Sequence, residues 1–157
     1  MYRTILNNLW GSIWKQLENE NITGTQLPGM SAERIAAKIT CPFCLKHDWK
    51  TFPYNTSAYD LQCMACFRYY QIKANKNLRP RVGSKDLIVM GATYTTTRDS
   101  VGYICYILIS YTNETTIRNI YIVDANNVSH TDIVQRGNSP HCNIVFKKGM
   151  YRKLKLN

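Results

Sequence analysis

Four cysteines stand in two close pairs, Cys41-Pro-Phe-Cys44 and Cys63-Met-Ala-Cys66, with eighteen residues between the pairs. A two-residue gap lets one tight turn aim both sulfurs at a single ion. Two such turns complete a tetrahedral shell of four thiolates, the donor set that zinc prefers. The spacing falls in the range of zinc ribbons. Disulfides, or a redox Cys-x-x-Cys, account for one pair and leave the second unexplained. A closed four-thiolate shell has no open position, so this zinc is expected to hold the fold and not to activate water. Cys105 and Cys142 lack partners at short spacing and are expected to be buried thiols, and His47 is surplus to the shell.

A second set of chemistry-bearing residues is threaded through the same segment. Asp60 stands three residues before Cys63, and Gln71 and Lys73 follow Cys66 two apart. If 63–66 is the turn of a hairpin, Asp60 lies at the end of the incoming strand. Gln71 and Lys73 then share one face of the outgoing strand, with Tyr70 and Ile72 on the other. The hairpin places Asp60 near Tyr69 and Gln71. A carboxylate, a neutral oxygen donor and an ammonium group at one spot suit phosphodiester hydrolysis. Asp60 and Gln71 would ligate a hard cation such as Mg²⁺, and Lys73 would position water or stabilise developing charge. Glu33 offers a second acid, although a place in the first turn of a helix, where its charge complements the dipole, is the simpler expectation. Arg68, Lys76, Arg79 and Arg81 flank the site and are candidates for phosphate contact, with a solvated basic face as the alternative. The basic tail over 147–155 is expected to be a solvated end. Tyr54, Tyr103, Tyr106 and Tyr121 are expected in core or hairpin packing.

These residues need a scaffold. The chain has 157 residues, 45% of them hydrophobic, enough for a single domain over 1–157 with a zinc-ribbon element at 41–66. Its net charge is +10, from 20 Lys and Arg against 10 Asp and Glu, which favours a polyanionic partner. No apolar run is long enough for a membrane span and no signal-peptide core is evident, so an intracellular location with reduced thiols is expected. Apolar spacing predicts a helix over 4–17, capped by Thr4, and a second over 32–39 capped by Ser31, with 26–29 as a turn between them. Strands are expected at 69–74, 103–111 and 117–123, with weaker ones at 132–134 and 143–146. Residues 75–84 read as a basic loop, and 85–98 as a short helix. Strands with flanking helices and no strict βαβ repeat imply an α/β or α+β mixed sheet.

Residues 41–74 resemble the central segment of the DpnI-like (Dam-replacing) restriction endonucleases. That family interleaves two Cys-x-x-Cys knuckles with an Asp…Glu-x-Lys site at the spacing of Asp60, Gln71 and Lys73. Weaker similarity covers Arg34-Ile35-Ala36, residues 103–136 and Cys142-Asn143-Ile144. The resemblance implies a restriction-endonuclease-like PD-(D/E)xK core, Mg²⁺-dependent cleavage of double-stranded DNA and a restriction or defence role. The family's Glu is Gln71 here, which removes one negative ligand. The family's C-terminal winged-helix domain is not expected within these 157 residues. A metal-dependent DNA endonuclease is thus the leading reading. A non-catalytic zinc-ribbon DNA-binding protein derived from such a nuclease, or a zinc-stabilised RNA- or protein-binding domain, are the alternatives.

Overall fold

The structure, a computed structural model, describes residues 2–53 and 59–157. Tyr54 therefore lies outside the described residues. Helix α1 (Tyr2–Asn19) buries Leu6, Trp10, Ile13 and Leu17, the stripe that the 3.6-residue period dictates. Thr4 sits inside it rather than capping it. Helix α2 (Gln26–Ala36) begins well before the expected start. Pro28 and Gly29 read as turn residues, yet proline in a first helical turn loses an N–H that has no intrahelical partner anyway. The early start turns Ser31 from a cap into a fully buried interior residue.

The strands β1 (Trp49–Thr51), β2 (Leu61–Cys63), β3 (Tyr69–Lys76), β5 (Ile104–Asn113), β6 (Thr116–Val123) and β9 (Tyr151–Lys153) form one six-stranded sheet in the order β1-β2-β3-β5-β6-β9. Only β3 and β5 run parallel; the other neighbours are antiparallel. The crossover between β3 and β5 contains β4 (Leu87–Thr93) and the short helix α3 (Tyr94–Asp99). With β7 (Ile133–Gln135) and β8 (His141–Phe146), β4 builds a second sheet, ordered β4-β8-β7. The expected short helix over 85–98 is thus mostly strand, with the helix confined to its end.

Three layers result, and the architecture is α+β. Helices α1 and α2 cover one face of the large sheet over Tyr70, Ile72, Ile107, Ile109 and Ile122. The small sheet covers part of the other face, packing Val89, Cys142, Ile144 and Phe146 on Tyr106, Leu108, Tyr121 and Val123. Strand β5 is covered on both sides, so residues 104–110 are buried without a break. That explains why its sequence is an uninterrupted apolar run rather than an alternation. Tyr106 and Tyr121 pack in the core as expected, but Tyr103 stops short of β5 and is 77% exposed. The basic tail is not simply a solvated end, because β9 pairs with β6 through Tyr121↔Lys153 and Val123↔Tyr151. Among the described residues no helix is long and apolar enough to cross a membrane.

Candidate functional site

The Sγ atoms of Cys41, Cys44, Cys63 and Cys66 lie within 4.8 Å of one another, with Cys41–Cys66 at 3.7 Å and Cys44–Cys63 at 3.5 Å. Four sulfurs about 2.3 Å from a central zinc are separated by roughly 3.8 Å along a tetrahedron's edges, so the donor set and its size fit the ion. The two knuckles are built alike. In each, the residue after the second cysteine has positive φ, Leu45 at 61° and Phe67 at 62°, and its N–H returns to the first cysteine's carbonyl at 2.9 and 2.7 Å. Burial raises the Cys41 thiol, but the Cys44 amide, the Tyr70 hydroxyl at 3.0 Å and the Phe43 amide outweigh it and bring Cys41 down to about 7. Burial pushes Cys63 up to about 12, so its thiolate needs a cation. His47 turns away, its Nε2 3.0 Å from the Ala37 carbonyl. Cys105 and Cys142 are buried free thiols.

The hairpin register follows from this clamp. Leu61 pairs with Tyr70 and Gln62 with Tyr69 across β2 and β3. Strand β2 begins only at Leu61, which leaves the edge of β3 without a paired strand from Ile72 onward. Asp60 stands at that end. Its backbone N–H donates to the Tyr70 carbonyl at 2.8 Å, and its Oδ2 accepts the Ile72 N–H at 2.7 Å. Tyr70 and Ile72 are buried under the helices, so Gln71, Lys73 and Asn75 face the other way. A cleft of about 590 Å³ runs along this open edge, lined by Glu33, Asp60, Gln71, Lys73, Asn75 and Met90 among others.

Glu33 is the eighth residue of α2 and so lies outside the first turn. The dipole role is therefore excluded, and the carboxyl meets Asp60 instead. Burial, the Asp60 charge and a hydrogen bond between the two side chains push Glu33 up to about 8. Asp60 is also raised by burial, but the Ile72 amide and the Lys73 charge oppose the rise. The two carboxyls therefore titrate as one coupled unit with a proton shared between them. Lys73 is lowered by burial, with the charges of Asp60, Cys142 and Glu33 acting against that. The Gln71 Oε1 is buried with no hydrogen-bond partner among the described residues. An orphaned carbonyl oxygen beside a proton-sharing carboxyl pair is an all-oxygen donor set that fits a hard divalent cation.

A pH dependence follows. Folded Glu33 holds its proton to about pH 8, against an ordinary value of 4.5. Between those values the folded state binds more protons than the unfolded one, so stability falls as pH rises. With zinc retained and no Mg²⁺ added, Tm is expected to drop from pH 5 to 8, and Glu33→Gln to flatten the drop. Equal slopes in thermal denaturation of the two proteins would exclude Glu33 as its source.

The remaining basic candidates divide. Arg68 stacks on Phe43 at 4.3 Å and pairs with Asp124 at 3.8 Å, so it belongs to the zinc module. Lys76, Arg79 and Arg81 line a second cleft, which shares Asn75 and Met90 with the first. Sequence reasoning missed Asn75, although the period of two that joins Gln71 to Lys73 extends to it. It also missed Arg152, which donates through Nη2 to the Pro42 carbonyl at 2.6 Å. A single basic residue in a basic tail gave no signal for that bond.

Compared with known proteins, the chain matches the family model described as DpnI: Dam-replacing family over residues 15–147. No curated protein matches it.

Proposed function

The chain belongs to the DpnI Dam-replacing family, and on that premise we propose that it is a metal-dependent endonuclease of the PD-(D/E)xK type, of restriction or defence role, that cleaves double-stranded DNA. The observation that carries this reading is the meeting of Glu33, Asp60, Gln71 and Lys73 in one cleft on the uncovered edge of β3. A divalent cation such as Mg²⁺, held by Asp60 and Gln71 with Glu33 as the further acid, would acidify water and offset charge on the scissile phosphate. The zinc held by the four cysteines is structural, keeping β2 and β3 in register.

Each residue has its own task. Burial raises the Asp60 carboxyl, while the Ile72 N–H and the Lys73 charge favour its charged form and oppose that rise. Glu33 would be the acid that releases a proton to a bound cation, giving the acid pair a second charge. Gln71 supplies an oxygen without a charge. Lys73, on the same face and half-buried, points an ammonium group at the reacting phosphate and stabilises its developing charge. Lys76, Arg79 and Arg81 hold the flanking phosphates, with the +10 net charge drawing DNA in.

The test uses supercoiled plasmid, with and without adenine methylation, on zinc-loaded protein with or without added Mg²⁺. Cleavage is expected in Mg²⁺ only. Gln71→Glu adds a charge to the cation site and is expected to lower the Mg²⁺ concentration for half-maximal rate by about tenfold. Gln71→Ala is expected to raise it. An inactive parent that Gln71→Glu revives would identify a lapsed nuclease retained for binding. Identical Mg²⁺ curves for all three proteins would remove Gln71 from the site.

A further inference from the structure

The loop over 77–86, which leaves the end of β3, has a built shape. The Lys85 N–H donates to the Arg81 carbonyl at 3.0 Å and the Arg81 N–H to the Asp86 carbonyl at 2.8 Å, so the tip is closed on itself. Gly83 at φ 92° and Lys85 at φ 63° make the reversal. The Tyr151 hydroxyl donates to the Lys85 carbonyl at 2.6 Å and ties the base of the loop to β9. This ordered turn holds Val82 at its tip, 101% exposed. One exposed valine is ordinary on a protein surface; what sets Val82 apart is its place at the tip of a closed turn among basic residues. Its neighbours in the loop are Arg79, Arg81 and Lys85, none of which forms an ion pair among the described residues. The loop is also continuous with the proposed catalytic cleft. Asn75 and Met90 line both that cleft and the one bearing Arg79 and Arg81, and Met90 is 56% exposed between them.

We infer that the 77–86 loop is a sequence-reading element that enters a groove of the substrate DNA, with Arg79 and Arg81 on the phosphates and Val82 against base edges. The inference rests on the nuclease reading and deepens it, because it assigns base discrimination to one side chain outside the catalytic cleft. The positive charge selects a polyanion. Phosphate contacts carry no sequence information, so the apolar tip between them is the part able to discriminate. A thymine methyl in the major groove is the base-edge feature that a valine methyl fits. Reach sets the position read. Nine residues separate Lys73 from Val82, a span of at most roughly 30 Å at about 3.3 Å per residue. The base read therefore lies within one turn of the duplex, about 10 base pairs, from the phosphate cut.

The experiment is selection from a randomised duplex library without Mg²⁺, so that binding is read independently of cleavage. The parent is expected to prefer one base, thymine, at a position within a turn of the cut site. Val82→Ala is expected to reduce that preference by roughly fifteenfold, at about fourfold for each of the two methyls removed. Val82→Asn is expected to move the preference to another base. Both variants replace a fully exposed side chain, so folding is not at stake. The double variant Arg79→Ala with Arg81→Ala is expected to weaken binding to all sequences alike and to lower the salt slope by about two. A parent preference left unchanged by both Val82 variants overturns the inference while the nuclease reading stands. A parent with no base preference in that window does the same. A parent that binds no DNA at any salt overturns both.

Discussion

Lys73→Ala, or the better-filling Lys73→Met, is expected to slow plasmid cleavage by at least about a thousandfold, with zinc content unchanged and DNA affinity within a few-fold of the parent. The side chain is half-buried beside Asp60 and Glu33, where water screens charge poorly. On the proposed reading an ammonium group there would act on the reacting phosphate with far more effect than one on the surface. Asp60→Asn is expected to be as damaging to cleavage, because it removes a carboxylate from the acid pair while keeping an acceptor for the Ile72 N–H. Circular dichroism and filter binding separate loss of chemistry from loss of fold. A Lys73→Met protein that cuts at the parent rate would falsify the assignment of Lys73.

Removal of zinc is expected to have the largest effect on stability. Four-thiolate sites contribute on the order of 10 kcal/mol or more, which equals or exceeds the net stability of an ordinary domain. Cys44→Ser, or chelation at neutral pH, should therefore release the 41–66 segment and with it the pairing of β2 and β3. The loss has a particular route. Cys41 accepts a contact from the Tyr70 hydroxyl on the buried face of β3, and Gln71 and Lys73 are the next residues on its opposite face. Release of the knuckles thus frees the strand that carries the site. Metal analysis with thermal denaturation checks this, and a chelated protein that keeps the parent Tm would refute it.

The hairpin was legible because two local facts determine it. The Cys63 to Cys66 turn sets the register, and the strand period of two then fixes which side chains share a face. Asp60, Gln71 and Lys73 follow from those facts alone. Glu33 was misjudged because its role depends on where α2 begins, and Pro28-Gly29 disguised that start. The small sheet was harder still. The pairing of Val89 with Ile144 joins residues more than fifty apart, and a register shift between Val89 and Ala92, at Met90 and the left-handed Gly91, breaks the alternation that would mark β4 as a strand. Nothing local to 85–98 could show that its partner lies near the end of the chain. Exposed Tyr103 has a similar cause: its β-forming type matches a strand, but the turn that admits Gly102 at φ 86° delays β5 by one residue.

The Phe43 ring lies between two guanidinium groups, Arg68 at 4.3 Å and Arg152 at 5.8 Å, and Arg152 also holds the Pro42 carbonyl. Strand β1, which follows the first knuckle in the chain, and β9, which carries Arg152, are opposite edges of the six-stranded sheet. The first knuckle is therefore tied directly to β9, while the chain leaving it forms the opposite edge. The consequence is cooperativity in opening. A short edge strand such as β9 would ordinarily fray alone and exchange its amide hydrogens early. Tied to the first knuckle, its protection becomes linked to metal occupancy. Amides of residues 151–153 should then exchange together with those around Cys41 as one opening unit, so that a metal shell formed by one end of the sheet governs the lifetime of the other.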